Sequence, residues 1–273
     1  MSDTILITGT SNGFGKDLAN TLAAGGHRVF ATMRDMDGRN REVAKELQAK
    51  GIETLELDVT NNASVDAAVK TLFAKTDGRL DVLVNNAGIA SGGLAESFTP
   101  EQVREMFEVN VFGVQRMIRA VVPQMQANKS GLIVNVGSIL GRLTLPFYGL
   151  YGASKHALEA LTEGYRYELS QLGIDVVLVQ PGPFPTNLWA AVQKPSDPGR
   201  ADCTARSPLF PASSSISSAA CSLAPRLRTR TTRRKRSPSW SGRPAASVPS
   251  AWSSAWRSAP MRPTPQSSRS RNR

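Results

Sequence analysis

Six short runs of apolar, often β-branched residues recur along this chain and constrain its fold more than any other feature. They predict strands at residues 4–8, 27–32, 53–58, 80–84, 132–136 and 174–179. The stretches between them have helical periodicity. One predicted helix begins at Thr99, followed by Pro100 and by Gln102 at the capping-box position. Strands that alternate with helices predict a doubly wound α/β fold, a parallel sheet with helices on both faces.

The turn between the first strand and the first helix carries Gly9, Gly13 and Gly15. Glycine permits positive φ and a close approach of a pyrophosphate, and the start of the helix offers free N–H groups and a positive dipole. A glycine-rich turn without a ligand is the alternative. The position directly after the first strand favours a dinucleotide site.

Polar or small residues follow the ends of several predicted strands. In open parallel sheets, ligands bind at the carboxyl ends of the strands, so such residues are expected to lie together. The residues at these positions are Gly9, Asp58, Asn85, Ser138 and Pro181.

Tyr151 and Lys155 stand one helical turn apart and shortly after Ser138. Their side chains are expected on the same face of a helix. A nearby ammonium favours the phenolate, so we expect Lys155 to lower the pKa of Tyr151 and to prepare it for proton exchange with an alcohol or a carbonyl. Tyrosine and lysine at this spacing are also common on solvated helix faces.

Taken in order, these motifs resemble the short-chain dehydrogenase/reductase family, in its shorter single-domain and Rossmann-like form, over about residues 3–199. The motifs that carry the resemblance are Thr8-Gly9-x-x-x-Gly13-x-Gly15, Asp58-Val59, Asn85-Asn86-Ala87-Gly88, the set Asn110, Ser138, Tyr151 and Lys155, and Pro181-Gly182-x-x-x-Thr186. The resemblance implies a single dinucleotide-binding and catalytic domain at 1–199.

The resemblance also implies a role for each member of the catalytic set. Tyr151 exchanges a proton with the substrate oxygen as hydride moves to or from a nicotinamide. Lys155 lowers the pKa of Tyr151 and hydrogen-bonds the nicotinamide ribose, while Ser138 holds the substrate oxygen where charge develops. Asn110 helps to hold a water in a proton relay toward Lys155. The alternative for Asn110 is an ordinary amide inside a helix.

A larger set is expected to bind the cofactor. It comprises Gly9, Ser11, Asn12, Gly13, Phe14, Gly15, Arg34, Asp58, Val59, Asn86, Ala87, Gly88, Tyr151, Lys155, Pro181, Gly182 and Thr186. By resemblance, Asp58 accepts from the adenine amino group and Thr186 contacts the carboxamide of the nicotinamide. For Asp58, a turn residue at a strand end is the alternative.

The end of the second strand bears on the choice of cofactor. An acidic residue there would bind the ribose 2′-hydroxyl, but here Arg34 comes first and the carboxylate follows at Asp35. The guanidinium can hold a 2′-phosphate, so NADP(H) is expected in preference to NAD(H). The alternative is that Arg34 lies over the adenine or in solvent.

Apolar residues between Ser138 and Tyr151 suggest a small apolar secondary alcohol or ketone as substrate, and packing under this loop is the alternative. They are Leu140, Leu143, Leu145, Phe147 and Tyr148. The run at 30–35 is similar to the steroid- and retinoid-type branch of the family. The resemblance also implies a homodimer through helices around 100–122 and 152–170.

The composition changes after about residue 199. The chain has a net charge of +11, of which residues 200–273 hold +14, so residues 1–199 are mildly acidic at −3. Residues 200–273 contain 14 Arg but one Lys, together with 18 Ser and 9 Pro, and neither helical nor strand periodicity is evident there.

Three interpretations of this tail are open: a disordered basic arm that binds nucleic acid, a folded subdomain of unusual composition, or a frameshift that translates GC-rich DNA out of frame. Arginine, serine and proline codons dominate such DNA, and a one-base slip converts residues 247–261 into a strand-like apolar run. We therefore favour the frameshift, with the family's seventh strand missing, and expect at most non-specific nucleic-acid binding by a disordered tail.

No apolar run approaches the length of a membrane span and the first strand begins at once, so neither a membrane partner nor a secretory signal is expected. Both cysteines, Cys203 and Cys221, lie in the tail, which suits a reducing compartment, and a cytoplasmic location is expected. No cluster of residues has metal-ligand spacing.

Overall fold

A computed structural model of the protein describes residues 2–184, 186, 188 and 191–201. Six parallel strands form one sheet in the order β3-β2-β1-β4-β5-β6. The strands are Thr4–Thr8 (β1), Arg28–Met33 (β2), Glu53–Glu56 (β3), Val82–Asn85 (β4), Gly131–Val136 (β5) and Ile174–Val179 (β6). The strand order reverses between β1 and β4, which is the switch point where doubly wound sheets bind ligands.

Helices cover both faces of the sheet. They are Gly13–Ala24 (α1), Arg41–Ala49 (α2), Asn62–Thr76 (α3), Pro100–Phe107 (α4), Gly113–Asn128 (α5) and Gly149–Leu169 (α6). A π-helical turn at Glu108–Phe112 joins α4 to α5, and short 3-10 turns lie at Ala95–Ser97, Ile139–Gly141, Ser170–Leu172 and Pro198–Ala201.

The core has two layers, one on each face of the sheet. In β1, Leu6 points to the face that α3, α5 and α6 cover, while Ile5 and Ile7 point to the face that α1 and α2 cover. All three side chains are fully buried. Because both faces are covered, the strands read in the sequence as continuous apolar runs instead of alternating ones.

The doubly wound fold predicted from the sequence is confirmed. β1 and β6 have the predicted bounds, and the other strands differ by up to two residues at an end. The capping box of α4 is confirmed too, since Thr99 Oγ1 accepts from Gln102 N at 3.3 Å and Gln102 Oε1 accepts from Thr99 N at 3.2 Å. The expectations of a missing seventh strand and a disordered tail concern residues 202–273, outside the described residues.

A buried chain of polar side chains fixes α6 against the sheet. Asn85 Nδ2 donates to Asn135 Oδ1 at 2.9 Å, and Asn135 Nδ2 donates to Thr162 Oγ1 on α6 at 2.9 Å. Asn85 therefore points into the core, although its place at the end of β4 had suggested a ligand site. Its side chain supports the helix that carries Tyr151 and Lys155.

The segment after β6 returns over α4. Gln102 Oε1 accepts from Ser196 N at 3.1 Å and from Ser196 Oγ at 2.8 Å, and Gln102 Nε2 donates to Lys194 O at 2.9 Å. Gln193 N donates to Ala90 O at 2.8 Å. This strap, residues 191–197, covers the loop that follows β4. Within the part of the chain that the structure describes, no helix is both long and apolar enough to cross a bilayer.

Candidate active site

A cleft of about 490 Å³ opens at the carboxyl ends of the central strands. Every residue of the predicted catalytic and cofactor-binding sets lines it except Gly15 and Asn110. The predicted residues that line it are Gly9, Ser11, Asn12, Gly13, Phe14, Arg34, Asp58, Val59, Asn86, Ala87, Gly88, Ser138, Tyr151, Lys155, Pro181, Gly182 and Thr186.

Glycine is required at two positions of the loop after β1. Gly9 has φ +70°, and a Cβ there would lie 2.8 Å from Ala87 Cα. A Cβ at Gly15 would lie 2.3 Å from Gly9 O and 2.5 Å from Asn86 Nδ2. Gly15 thus does not face the cleft, but its missing side chain lets α1 begin directly under the loop.

The amide of Asn86 holds this loop from behind. Asn86 Nδ2 donates to Thr8 O and to Gly9 O, each at 2.9 Å. Thr8 Oγ1 in turn accepts from the backbone N–H groups of Asn86 and Ala87, each at 3.0 Å. The ends of β1 and β4 are therefore hydrogen-bonded to each other, and these bonds hold the backbone of the glycine loop.

The start of α1 is open to the cleft. Its N-cap residue, Asn12, makes no side-chain capping bond, so the first N–H groups of the helix keep their capacity to donate. A Cβ added at Gly13 would meet only Thr186 Cβ, at 3.8 Å. An uncapped helix start beside bare glycine backbone fits the pyrophosphate of a dinucleotide.

Ser138, Tyr151 and Lys155 meet at the other end of the cleft. The Ser138 hydroxyl lies near the Tyr151 phenol and acts to lower its pKa, and Ser138 Oγ accepts from Leu140 N at 3.1 Å. Lys155 Nζ donates to Val136 O at 3.0 Å and lies 5.8 Å from the centre of the Tyr151 ring. Tyr151 and Lys155 are both buried.

The ionisation of the two groups follows from their burial. Burial raises the pKa of Tyr151, and the hydrogen bond from Ser138 only partly opposes it. Burial lowers the pKa of Lys155 to about 8. The expectation that Lys155 lowers the pKa of Tyr151 is wrong for this structure, because loss of water around the phenol raises that pKa and Lys155 is not among the groups that lower it.

Asn110 lies in the π-helical turn between α4 and α5, and its amide is used within the protein. Its Oδ1 accepts from Ile89 N and its Nδ2 donates to Ile89 O, both at 2.9 Å. Nδ2 also donates to Ser154 Oγ on α6 at 3.0 Å. The side chain therefore joins the loop after β4 to α6 instead of lining the cleft.

Two basic residues face the end of the cleft beside β2. Arg34 Nη1 lies 3.7 Å from Asp58 Oδ2. Burial raises the pKa of Asp58, but hydrogen bonds from Thr60 and the charge of Arg34 together lower it below its usual value. Arg39 and Asn40 line the same end and were missed in the sequence. The sequence did contain a signal for Arg39, because it is a second arginine only five residues after Arg34.

The loop between Ser138 and α6 packs inward. Leu140 and Tyr148 are buried in a cluster with Met106 and Tyr151. The five apolar residues that suggested a substrate surface are absent from the lining of the described cleft, so packing, the alternative interpretation, accounts for Leu140 and Tyr148. Ile89 and Leu188 pack against the cluster that contains Tyr151 and supply apolar lining at this end of the cleft.

Metal ligands are not grouped in the part of the chain described: no three His, Cys, Asp or Glu side chains there are close enough to hold an ion. The cleft thus has the glycine loop at one end and the cluster of Ser138, Tyr151 and Lys155, the Ser–Tyr–Lys cluster, at the other. A phenol, which is chemically able to exchange a proton, and a hydroxyl, which is able to hydrogen-bond an oxygen, meet at that second end.

The chain is similar in sequence to proteins of known activity. The chain is 42% identical over 182 residues to a 3-ketodihydrosphingosine reductase of Bacteroides thetaiotaomicron, a match that covers 67% of this chain and 64% of that protein. It is 40% identical over 189 residues to human 17-beta-hydroxysteroid dehydrogenase type 1, covering 67% of this chain and 57% of that protein. The chain thus matches less than two thirds of the length of these relatives.

Solved structures agree with the sequence comparison. A gluconate 5-dehydrogenase from Burkholderia cenocepacia, in complex with NADP and tartrate, has a TM-score of 0.64 and 31% identity over 69% of this chain and 74% of its own. A 3-ketoacyl-(acyl-carrier-protein) reductase from Brucella melitensis, complexed with NADH, has a TM-score of 0.64 and 33% identity. The match covers 76% of this chain and 91% of that reductase.

The family model described as short chain dehydrogenase matches residues 3–197, which include the glycine loop, the Ser–Tyr–Lys cluster and the loop after β6. The chain therefore belongs to the short-chain dehydrogenase/reductase family.

Proposed function

We propose that the chain is an NAD(P)-dependent oxidoreductase that interconverts a secondary alcohol and a ketone. The observation that carries this proposal is the position of Ser138, Tyr151 and Lys155 at one end of a cleft whose other end is the open start of α1. A dinucleotide held by its pyrophosphate at α1 can extend toward Tyr151 within one continuous cleft.

The residues of the cleft divide the chemistry between them. A bound nicotinamide supplies or accepts the hydride. Tyr151 holds the proton that the substrate oxygen gains or loses, and the Ser138 hydroxyl stabilises charge on that oxygen. Burial raises the pKa of Tyr151, so the phenol carries its proton at neutral pH and is ready to donate it to a ketone oxygen. Lys155, with a pKa of about 8, can pass a proton onward near neutral pH.

Exchange of Tyr151 for phenylalanine tests this function. General acid–base catalysis contributes roughly 10²- to 10⁴-fold, so Tyr151→Phe should lower turnover by at least about 100-fold while NADPH still binds. The matched control is Tyr167→Phe on the same helix, where the residue is 79% exposed. Equal activity of Tyr151→Phe and wild type would sink the assignment of Tyr151 as the proton donor.

We also propose a preference for NADP(H). Arg34, Arg39 and Asn40 border the end of the cleft beside β2, where a 2′-phosphate would lie. We expect Arg34→Ala to weaken NADPH binding about tenfold, the loss of one charge-assisted contact, and NADH binding less than twofold. Arg104→Ala, which removes an exposed arginine of α4, serves as control. An equal effect on both cofactors would contradict the preference.

The substrate is proposed to be an apolar ketone or alcohol, because Ile89 and Leu188 line the cleft beside Tyr151. The relatives' names include a ketone reductase, a hydroxysteroid dehydrogenase and a retinol dehydrogenase. A panel of 3-ketodihydrosphingosine, a 17-ketosteroid and gluconate, with the matching form of the cofactor, tests this class. Activity on gluconate alone would refute it.

A homodimer through α5 and α6 is the proposed assembly. Phe112, directly before α5, is 49% exposed although it is a large hydrophobic side chain. Sedimentation should give twice the chain mass, and Phe112→Glu should shift it to the monomer. A wild-type monomer would exclude this interface.

Residues 1–199 are proposed to form one catalytic domain, and residues 200–273 to be encoded out of frame. The family match ends at residue 197, close to where the composition changes. The strap of residues 191–197 still makes specific contacts with α4. Such a chain would be a catalytically impaired enzyme, because family members place helices over the substrate in the replaced region. A cytoplasmic location remains the accompanying proposal.

A further inference from the structure

Glu159 is a buried carboxylate for which the proposed chemistry has no use. It is 8% exposed and lies on α6. Its Oε1 is paired with Nε of Arg142, and its Oε2 accepts from Gln180 Nε2 at 2.8 Å. Both carboxylate oxygens therefore have partners, and the two partners belong to two different loops.

Glu159 continues a ridge that begins at the active site. Tyr151, Lys155 and Glu159 follow one another at intervals of four residues, so they lie on the same buried face of α6. The turn at Ile139–Gly141 packs on this ridge so closely that a Cβ at Gly141 would lie 3.1 Å from Lys155 O and 3.3 Å from Glu159 Oε2.

The pair with Arg142 reaches Ser138 through this short turn. Ser138 caps the turn, its Oγ accepting from Leu140 N, and Arg142 directly follows it. Because the turn spans only three residues between the two, a fixed position of Arg142 on α6 limits how far Ser138 can move from Tyr151.

The bond with Gln180 reaches the other wall of the cleft. Gln180 directly follows β6 and precedes Pro181 and Gly182, which line the cleft. Pro181 O accepts from Ile139 N at 3.0 Å, so the loops after β5 and β6 are also bonded to each other. Glu159 is thus the point on α6 to which both loops are attached.

We propose that Glu159 is a positioning residue, which through Arg142 and Gln180 holds Ser138 and the Pro181–Gly182 loop in register with Tyr151. The inference rests on the proposed function only for the statement that this alignment serves catalysis. A carboxylate suits this role because a buried charge without a partner is strongly unfavourable. Movement of Arg142 or Gln180 away from Glu159 would therefore cost free energy, and both partners are held in place.

Exchange of Glu159 for glutamine tests the attachment. Glu159→Gln removes the charge with almost no change of shape. Glu163→Gln is the matched control, one turn further on α6, 62% exposed at the side chain and 3.9 Å from the same Arg142. In the full chain without ligand, amide exchange of peptides 137–143 and 179–184 should be at least about tenfold faster in Glu159→Gln and unchanged in Glu163→Gln.

A second variant covers the case in which Glu159→Gln does not fold. Gln180→Leu changes an exposed residue, breaks one contact and leaves the pair with Arg142 intact. It should speed exchange in 179–184. The proposal is overturned if Gln180→Leu leaves amide exchange in 179–184 unchanged and if Glu159→Gln, where it folds, also leaves exchange in 137–143 unchanged.

Positioning of Ser138 has its own spectroscopic readout. The ¹³Cζ chemical shift of Tyr151, assigned with Tyr151→Phe among the four tyrosines of the chain, reports the hydrogen bond at the phenol. Glu159→Gln should move it toward its value in Ser138→Ala, and Glu163→Gln should not. A loss of overall stability without this movement would reduce Glu159 to a structural role. Neither measurement needs cofactor, so failure of NADPH to bind would refute the proposed function and leave this test intact.

Discussion

At the residue scale, Lys155 shows what the burial of a charged side chain does to stability. Its ammonium lies in the interior with one backbone acceptor, Val136 O, and burial lowers its pKa to about 8 from 10.5. Below pH 8 the lysine is protonated in both the folded and the unfolded state, so the folded state bears the full cost of burying the charge. Between pH 8 and 10.5 the unfolded state binds more protons, and stability should rise with pH.

A comparison of wild type with Lys155→Met tests this linkage. Between pH 7 and pH 10, the unfolding free energy of wild type should rise relative to the variant by roughly 2.5 kcal/mol, as a shift of this size requires. Urea denaturation at each pH measures the difference. Lys70→Met, on the exposed side of α3, should show no such trend. Parallel curves for Lys155→Met and wild type would contradict the lowered pKa.

At the element scale, α4 illustrates how one side chain can serve both a helix and a distant segment. Gln102 completes the capping box with Thr99, and the same amide binds Lys194 O and Ser196 of the strap at 191–197. The strap follows Leu188 and contains Ala191, and both residues line the cleft. The start of α4 therefore supports one wall of the cleft.

Two alanine variants should separate these functions. Thr99→Ala removes the cap and should cost about 1 kcal/mol of unfolding free energy. Gln102→Ala removes the cap's second half and the strap contacts, and should cost about 2 kcal/mol and speed amide exchange in 193–197. Glu101→Ala, exposed on the first turn of the same helix, serves as control. Equal exchange in Thr99→Ala and Gln102→Ala would show that the strap does not depend on Gln102.

At the scale of the whole molecule, the two parts of the chain differ in charge. Residues 1–199 carry −3 and residues 200–273 carry +14. Within the described residues, β6 pairs with β5 alone, so its other edge has unpaired N–H and C=O groups. An edge of this kind is where a further strand would add to the sheet.

Sequencing the gene across codons 199–204 tests the frameshift. We expect a neighbouring frame to encode an apolar strand in place of residues 247–261. The chain with the restored frame should melt about 10 °C higher, because covering an edge of the sheet adds a few kcal/mol to a domain of this size. The present chain should bind heparin in a salt-sensitive way through its arginines, and the restored chain should not. An intact gene without such a frame would show that the tail is genuine.

Much of the fold was predictable because strands buried on both faces leave continuous apolar runs, and the runs at β1 and β6 have the observed bounds. The residues of the cleft were predictable because each belongs to a short motif that directly follows a predicted strand or stands on the next helix. Gly9, Ser138, Tyr151 and Lys155 can each be recognised from their neighbours in the sequence. Their types and order suffice to bring them to one edge of a parallel sheet.

Tertiary structure decided which polar groups face the cleft and which face inward. Asn85 and Asn110 stand in the same motifs as the cleft residues, yet both amides are bonded within the protein. The pKa of Tyr151 was likewise set by burial, which no spacing reveals. Glu159 is the clearest case, since its partners Arg142 and Gln180 are distant in sequence and meet it only after folding. The sequence determined the order of the elements, whereas water exclusion and long-range pairing decided what each side chain does.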